Sequence, residues 1–420
     1  MQEFIVHAPI QTRQNSLNKH ERLLAFLSAE ALNRIAEYQT GQPVPRADLW
    51  NTIGVKSEKD WANANAVQPI EYRHYHIQQI EARYHLLEKV YGIPKNGRAI
   101  MTDGDEQYQA IVIDQIKRRI TSHNFFVSRE QFTHCVSCDY VVAPAVARID
   151  RCPVCGRSDL DQLETEGLFT TTTTESRHQI VEQVDIYPEA VRKTLRRTVL
   201  TMPDLIQLSK QRKFGTRLTE FGVDERFVLD PKIPLALMGH VVNEMGIGQI
   251  KAFVQGVDSV GNLAPYVYLT DPDGHYAFVS TGLVPPFNEG ILNDRNKPFY
   301  TSFLPLAMMS TPGGIDVGQR LNLFKEFDRT TRQFQFALSA LEQLSKDPSL
   351  TTDSGLYFPL QEIYTLINKY QPREAIIALR QFLYDSISRD YIIHCREKGI
   401  RPDSQIIKQV KEIASLIYHQ

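Results

Sequence analysis

Four of the five cysteines stand in two close pairs whose spacing suits a metal ion. Cys135 and Cys138 form the first Cys-x-x-Cys pair, and Cys152 and Cys155 form the second after thirteen intervening residues. Each pair predicts a tight turn that brings two thiolates onto one ion, and four sulfur ligands in tetrahedral geometry select zinc. Because cysteine fills all four positions, no position is left for water, and we expect the zinc to be structural.

Two further residues belong with this group. His134 adjoins the first pair and is an alternative ligand, but we expect it to lie beside the site or to be exposed. Cys395 falls in a predicted helix and is expected in the core or on the surface. Paired metal-binding cysteines are typical of a reducing compartment, so the default expectation is a cytoplasmic protein.

A second region with chemical potential is the stretch "APIQTRQNSLNKHERLLAF", residues 8–26. An apolar strand over residues 4–9 leads into a polar loop and then into a helix that starts near residue 19. Such a junction usually binds phosphate in an α/β protein, because free N–H groups at a helix N-terminus attract anions. The loop has no glycine between Ala8 and Phe26, and His20 is its only histidine.

Composition limits the classes of partner. The chain has 420 residues, 42% hydrophobic and 23% charged, which is enough for two or three globular domains. Its net charge of −2 gives no general attraction to nucleic acid, and we expect no DNA partner. No apolar run approaches the roughly 20 residues that cross a bilayer, and no basic segment precedes a long apolar core at the N-terminus. We therefore expect neither a membrane partner nor a secretory signal.

Hydrophobic periodicity predicts most of the elements that must position these residues. Helices are predicted over residues 19–38, 69–91, 106–120, 188–198, 319–344, 372–398 and 403–418. Strands are predicted over residues 4–9, 98–101, 252–256 and 276–280, with a weaker one over 300–304. Residues 42–68 are interpreted as loops and short elements, and the threonine run of residues 169–177 as a β-edge or a surface loop.

These elements divide the chain into four segments. An α/β body is predicted in two halves, residues 1–131 and 170–318, separated by a zinc-binding insert over residues 132–169. A helical bundle follows over residues 319–420. We find no internal repeat.

The order of these parts, together with several local motifs, resembles a class I aminoacyl-tRNA synthetase of the methionyl type. The motifs are the first strand, loop and helix, the "TDGDEQYQAIVIDQIKRR" stretch that leads to the cysteines, the "MPDLIQLSKQRKFG" return, "FVQGVDS" and "LAMMSTPGGIDVG". The resemblance covers about three quarters of the chain. It implies a Rossmann-like (HUP-type) parallel-sheet catalytic domain, a zinc-knuckle insert and a shortened, anticodon-binding-like α-helical bundle.

The resemblance implies catalytic roles for Asn18, Lys19, His20 and Glu21, where the family has its His-x-Gly-His signature. In the family, these histidines donate hydrogen bonds to phosphate oxygens during adenylation. Here Asn18 and Glu21 replace both histidines, and His20 replaces the glycine. Asn18 could still donate, whereas the Glu21 carboxylate would repel a triphosphate, an effect that Lys19 could offset.

The resemblance also implies a nucleotide-binding set. Gly256 and Asp258 match the turn that holds the adenosine ribose, with a turn-capping aspartate as the alternative. The sequence "MMSTP" stands in place of the family's Lys-Met-Ser-Lys-Ser, so both lysines are missing, and the two glycines that follow could cradle an anion or form a simple turn. The implied cofactor-binding residues are Pro9, Gln14, Gly256, Asp258, Ser310, Gly313 and Gly314.

Three functions remain open at this point, and the third is a different reaction in the same nucleotide-binding pocket. The first is an enzyme that uses ATP, with Mg²⁺, to activate an amino acid or related carboxylate for transfer to tRNA or to a small-molecule or carrier acceptor. The second is a catalytically inactive synthetase-like protein with a binding or regulatory role. Residues 319–420 carry 14 Lys/Arg against 12 Asp/Glu, which argues against a dedicated tRNA-reading surface.

Overall fold

The structure of the chain is a computed structural model. It describes residues 2–7, 10–11, 20–52, 69–91, 93–142, 149–212, 214–271, 274–281, 317–352, 361–369 and 371–417. The strands are β1 (Glu3–His7), β2 (Ile10–Gln11), β3 (Arg46–Asn51), β4 (Arg98–Thr102), β5 (Phe126–Cys135), β6 (Tyr140–Val142), β7 (Leu160–Thr171), β8 (Asp185–Tyr187), β9 (Leu205–Gln207), β10 (Ser209–Gln211), β11 (Phe227–Leu229), β12 (Gln249–Gly256), β13 (Ala277–Thr281), β14 (Thr351–Thr352) and β15 (Ile400–Arg401).

The helices follow the same order. They are α1 (His20–Thr40), α2 (Pro69–Tyr91), α3 (Glu106–Thr121), α4 (Thr174–Gln183), α5 (Arg192–Leu200), α6 (Lys232–Ala236), α7 (Met238–Glu244), α8 (Val257–Thr270), α9 (Val317–Lys346), α10 (Gln361–Asn368), α11 (Pro372–Gln381), α12 (Ile392–Lys398) and α13 (Ser404–Ile417). Between α11 and α12 the helix widens into a π-helix over Phe382–Tyr391. None of the helices within the described ranges is both long and apolar enough to cross a membrane.

Two parallel sheets form the body. One has the strand order β1-β12-β13-β8, and the other has the order β2-β3-β4. Only two residues separate β1 from β2, so this strand pair has β12 on one side and β3 on the other. From this pair the chain first adds β3 and β4 on one side and later adds β12 and β13 on the other. Open α/β sheets bind ligands at such a point, beyond the carboxyl ends of the strands.

The central strands are apolar because both faces of the sheet are covered. In β12 and β13 the segments "AFV" and "AFVST" are buried, and their side chains alternate between two hydrophobic clusters. One cluster lies on the α1 side and contains Ile5, Phe26 and Val254, while the other contains Phe4, Phe253 and Phe278. Continuous apolar runs of this kind are typical of parallel strands that are buried on both faces.

A side-chain amide fixes α1 against β1. Asn33 of α1 is buried, its Oδ1 accepts from the Ile5 N–H at 2.8 Å, and its Nδ2 donates to the Ile5 carbonyl at 2.7 Å. The register of β1 against β12 shifts between Phe4 and Ile5. Asn33 therefore satisfies both backbone groups of Ile5 beside that irregularity, which a buried backbone requires.

The cysteine pairs lie at one end of an antiparallel sheet with the order β6-β5-β7-β9. The long strands β5 and β7 pair from Phe126 with Phe169 to Cys135 with Leu160, and Phe132 is fully buried between them and the rest of the body. This sheet extends on both sides of residues 132–169, so the insert shares its strands with the flanking chain. The predicted domain boundaries themselves stay a prediction.

The C-terminal helices pack on the α1 side of the body. Phe334 and Leu341 of α9, together with Tyr391 and Val410 further along, belong to the same buried cluster as Phe26. Cys395 is fully buried in this cluster, so of the two positions predicted for it, core or surface, it occupies the core. The fold class predicted from the sequence, a parallel-sheet α/β body with a cysteine-bearing insert and a C-terminal helical region, is confirmed.

Two segments differ from their predicted form. Residues 42–68 contain the strand β3, which pairs with β2 and β4 in the middle of the second sheet. The threonine run ends β7 and begins α4, with buried hydroxyls of Thr170 and Thr172 donating to the carbonyls of Asn124 and Pro203. Thr173 caps α4, because its hydroxyl accepts from the Ser176 N–H at 3.0 Å. The strand predicted over residues 300–304 lies outside the described residues.

Candidate functional site

The four paired cysteines converge on one point. Cys135 ends β5, Cys138 lies in the turn to β6, and Cys152 and Cys155 lie in the turn that precedes β7. All four Sγ atoms are within 4.8 Å of one another, and the separations of Cys135 from Cys155 and of Cys138 from Cys152 are both 3.6 Å. Four sulfur atoms at these separations could hold a zinc ion, and cysteine fills every ligand position.

Both pairs have the same kind of turn. The Asp139 N–H donates to the Cys135 carbonyl at 2.8 Å, and the Gly156 N–H donates to the Cys152 carbonyl at 2.9 Å. The closing residue is left-handed in each case, with φ of 54° at Asp139 and 73° at Gly156. Glycine and aspartate both tolerate this region, so the sequence after each pair matches the turn that it makes.

The turn also favours the thiolate form of one ligand. Burial raises the pKa of the Cys152 thiol, but N–H groups of Cys155 and Val154 outweigh it and lower the pKa to about 7. The Val154 N–H lies 3.3 Å from Cys152 Sγ. Metals bind thiolates, and Cys152 is the thiolate that the turn favours, whereas burial and the neighbouring thiols raise the pKa of Cys138 to about 12.

His134 is occupied elsewhere and stands beside the cysteines. Its Nδ1 lies 2.8 Å from Asp161 Oδ1, and its Nε2 lies 2.8 Å from Asp139 Oδ1. Burial lowers the pKa of His134, but hydrogen bonds to the two carboxylates outweigh it and raise the pKa above its usual value. With a carboxylate on each ring nitrogen, His134 has no free nitrogen for an ion, as expected from the sequence.

The second candidate site is the crevice at the carboxyl ends of the parallel strands. β1 and β12 are adjacent and parallel, so α1, which follows β2, and α8, which follows β12, both begin at the same edge of the sheet. α1 packs on one face and α8 on the other. Two helix N-termini on opposite sides of one strand edge can bind an anionic ligand between them.

The predicted nucleotide-binding residues are only partly described. Gly256 is buried, ends β12 and caps α8, and Asp258 lies in the first turn of that helix. His20 and Glu21 lie in the first turn of α1, at the same edge of the sheet. The remaining predicted positions, Pro9, Gln14, Asn18, Lys19, Ser310, Gly313 and Gly314, lie outside the described residues.

Beneath this edge lies a buried ionic network that the sequence analysis missed. Asp48 of β3 accepts from Arg98 Nε at 2.6 Å and from the Tyr84 hydroxyl at 2.6 Å, and its Oδ1 lies 3.0 Å from His7 Nε2. The second carboxylate, Glu30 of α1, lies 2.8 Å from Arg98 Nη1. Burial raises the pKa of Asp48, but Arg98 and His7 outweigh it and hold the pKa well below its usual range.

The network joins strands of both parallel sheets to α1. His7 ends β1, Asp48 lies in β3, and Arg98 starts β4, so one set of contacts joins three strands to α1. Thr52, just beyond β3, adds a fourth link, because its N–H and hydroxyl both donate to Asp103 Oδ1 beyond β4, at 2.5 and 2.8 Å. A charged residue flanked by apolar ones in "RADLW" was the only available signal.

Comparison with known proteins adds the fold relationship. Neither protein-family models nor curated protein sequences give a match. Among solved structures, Mycobacterium tuberculosis methionyl-tRNA synthetase in complex with methionyl-adenylate matches all of this chain and 88% of its own, with a TM-score of 0.63 and 10% identity. A second structure bound by methionyl-adenylate gives 0.61, 10% identity and the same coverage.

The apo form of the same enzyme matches all of this chain and 86% of its own, with a TM-score of 0.58 and 11% identity. An identity this low relates the proteins through their fold. The motif-based resemblance is confirmed at that level, and the chain has a synthetase-like fold, that of the methionyl-tRNA synthetases.

Proposed function

We propose that this protein is a synthetase-like ligase that binds ATP, with Mg²⁺, and an amino acid, and forms an aminoacyl adenylate. The observation that carries the proposal is the crevice at the carboxyl ends of β1 and β12, where the N-termini of α1 and α8 lie at one edge of the sheet. The fold is shared with structures that hold methionyl-adenylate. The acceptor is tRNA or, in a specialised pathway, a small molecule or carrier.

The proposed roles follow the positions of the motifs. Gly256 and Asp258 would hold the ribose, with Pro9 and Gln14 completing the nucleotide pocket. Asn18, Lys19, His20 and Glu21 would face the phosphates from the start of α1, and Ser310, Gly313 and Gly314 would cover them. A preorganised positive environment normally stabilises the leaving pyrophosphate by several kcal/mol, and here Lys19 and the helix N-termini would supply it.

The cysteine cluster has a supporting role in this proposal. Cys135, Cys138, Cys152 and Cys155 would bind one structural zinc ion that holds the end of the β5–β7 ribbon. A cytoplasmic location, with reduced thiols, follows from the same chemistry. The charge of residues 319–420 is nearly balanced, which makes tRNA the weaker of the proposed acceptors.

A second function is favoured by the replaced signatures. Asn18 and Glu21 stand in place of both histidines, and neither lysine of the mobile loop is present in "MMSTP". Losing either set would cost orders of magnitude in adenylation rate. A binding or regulatory protein that retains the fold without the reaction is therefore the alternative.

Amino-acid-dependent exchange of pyrophosphate into ATP separates these functions. The twenty standard amino acids and common non-standard ones would be screened with the full chain, in parallel with ATP binding by calorimetry. Exchange that is lost in Asp258→Ala but retained in Cys395→Ser supports the ligase. ATP or amino-acid binding without exchange supports the second function, and the absence of both binding and exchange overturns the ligase proposal.

A further inference from the structure

The carboxyl end of β12 buries a polar side chain in a position that packing alone would give to an apolar one. Gln255 is fully buried, and neither its Nε2 nor its Oε1 has a hydrogen-bond partner among the described residues. It follows Phe253 on the same face of the strand, where Phe253 stacks on Phe278 with ring centroids 5.6 Å apart. The apolar face of the sheet therefore ends in an amide.

The neighbouring strand repeats this change. Ser280 is paired with Gln255 in the β12–β13 register and is also buried. Among the residues that the structure describes, its hydroxyl donates only to the Thr281 carbonyl, at 3.5 Å, which is the outer limit of a hydrogen bond. Two adjacent strands thus change from phenylalanine to a hydrogen-bonding residue at the same height, on the face that carries α8.

This polar pair lies at the carboxyl ends of its strands, where a ligand would bind. Gly256 follows Gln255 directly and is the N-cap of α8, a helix of 14 residues; as a glycine it offers no side chain to the first N–H groups of the helix. Buried amides are almost always paired, because an unpaired one forfeits its hydrogen bonds to water. An unpaired buried amide beside a helix N-terminus, in the candidate crevice, points to a polar group that a ligand would supply.

We propose that Gln255 is a specificity-determining residue that binds a neutral ligand group with a donor and an acceptor side by side. A carboxamide has this pattern, and so does the N6/N7 edge of adenine, which pairs with a glutamine side chain in a bidentate manner. The inference rests on the proposed function, since it assigns a contact to the ligand of the same crevice. It excludes a thioether side chain, as in methionine, as the partner of Gln255.

The test compares Gln255→Met, which keeps the side-chain length and removes both polar atoms, with Gln249→Met, an exposed position at the other end of the same strand. Calorimetry on the full chain would use two pairs of ligands. One pair is ATP and inosine triphosphate, which differ at the 6-position of the purine. The other pair is glutamine or asparagine and methionine, each measured with saturating ATP.

We expect wild type and Gln249→Met to prefer ATP over inosine triphosphate, or the amide over methionine, by about tenfold or more. Gln255→Met should lose that preference in the same pair. The ligand pair whose preference is lost shows whether Gln255 contacts the nucleotide or the amino acid. The unliganded Gln255→Met protein should be at least as heat-stable as wild type, since the substitution removes an unpaired buried amide.

Three results would overturn the inference. If Gln255→Met fails to fold or melts clearly below wild type, the amide is paired within the protein. If the ligands bind and Gln255→Met leaves both preferences unchanged, Gln255 does not contact them, and the proposed function stands alone. If wild type binds neither nucleotide nor any amino acid, the inference and the proposed function fall together.

Discussion

Glu30 is a single carboxylate surrounded by three guanidinium groups. Arg98 lies 2.8 Å away, Arg34 lies 3.0 Å away, and Arg46 lies 3.3 Å away, and the glutamate is only 7% exposed. Burial raises the pKa of Glu30, but the three arginines outweigh it and lower the pKa from 4.5 to about 2. The charged form is therefore the one that the folded protein stabilises.

The pH dependence follows from the direction of this shift. Because the pKa is lower in the folded state, Glu30 contributes stability that is fully present above about pH 4.5 and is lost as the pH falls toward 2. Glu30→Gln should cost about 3 kcal/mol of unfolding free energy at pH 7, since it removes the carboxylate that three arginines share and leaves Arg98 with Asp48 alone and Arg46 with Glu37 alone. Urea unfolding at pH 7, 5 and 3.5 should show the difference from wild type shrinking as the pH falls.

The matched control is Glu81→Gln, which removes the exposed ion pair between Glu81 of α2 and Lys95 beyond its end. Exposed pairs contribute between roughly 0 and 1 kcal/mol, so this variant should follow the wild-type stability at every pH. A Glu30→Gln penalty as small as that of the control, or one that stays constant down to pH 3.5, would show that the arginines do not depend on Glu30.

At the scale of elements, the two cysteine turns lie together at one end of the long strand pair β5 and β7. Each turn is closed by its own backbone hydrogen bond, and all four Sγ atoms lie within 4.8 Å of one another. The first turn is also joined to Asp159, which follows the second turn, because the Val136 N–H donates to the Asp159 carbonyl at 3.1 Å and the Ser137 hydroxyl donates to Asp159 Oδ2 at 3.2 Å. A metal ion would therefore add four sulfur ligands to the hydrogen bonds that already join the two turns. Folding energy contributed by such an ion is lost when a ligand is removed.

Cys152→Ser should lower the zinc content from about one ion per chain to near zero, and it should lower the melting temperature by about 5 °C or more. Elemental analysis of protein purified without added metal, together with calorimetric melting, measures both. Cys395→Ser is the control, because this cysteine is buried among the C-terminal helices and should leave the zinc content unchanged. Zinc-free wild-type protein with the same melting temperature would contradict the structural role.

Elements with local signals were predicted, and elements made by tertiary contacts were not. The helix α2 begins and ends at the predicted residues, and the four cysteines meet as their spacing indicated. β3 was missed because polar residues interrupt the apolar ones in "RADLWN", and only partners distant in sequence, Arg98, Tyr84 and His7, make its aspartate suitable for a buried strand. The unpaired amide of Gln255 depends likewise on what surrounds it, which no sequence pattern reports.

At the scale of the whole molecule, the parallel sheet and the C-terminal helices share one core. The buried cluster on the α1 side runs from Ile5 and Trp50 of the sheet to Leu341 of α9 and Val410 of α13. Tyr187, at the end of β8, also donates a hydrogen bond to Glu374 of α11 at 3.2 Å. Because the apolar surfaces of the two regions cover each other, neither can unfold without exposing the core of the other.

This arrangement predicts cooperative loss of both regions from a change in one. Leu341→Ala should cost about 2–5 kcal/mol, since the residue is fully buried, and it should lower the midpoint of tryptophan fluorescence and of helical circular dichroism together. Trp50, one of the two tryptophans of the chain, is fully buried on the sheet, so its part of the fluorescence reports the body. Phe336→Ala, on the same helix but 57% exposed, should change stability by less than about 1 kcal/mol. The contrary result is a Leu341→Ala protein whose helical signal melts early while its fluorescence keeps the wild-type midpoint. The helices would then fold as a separate unit, and the shared core would not couple them to the sheet that forms the crevice.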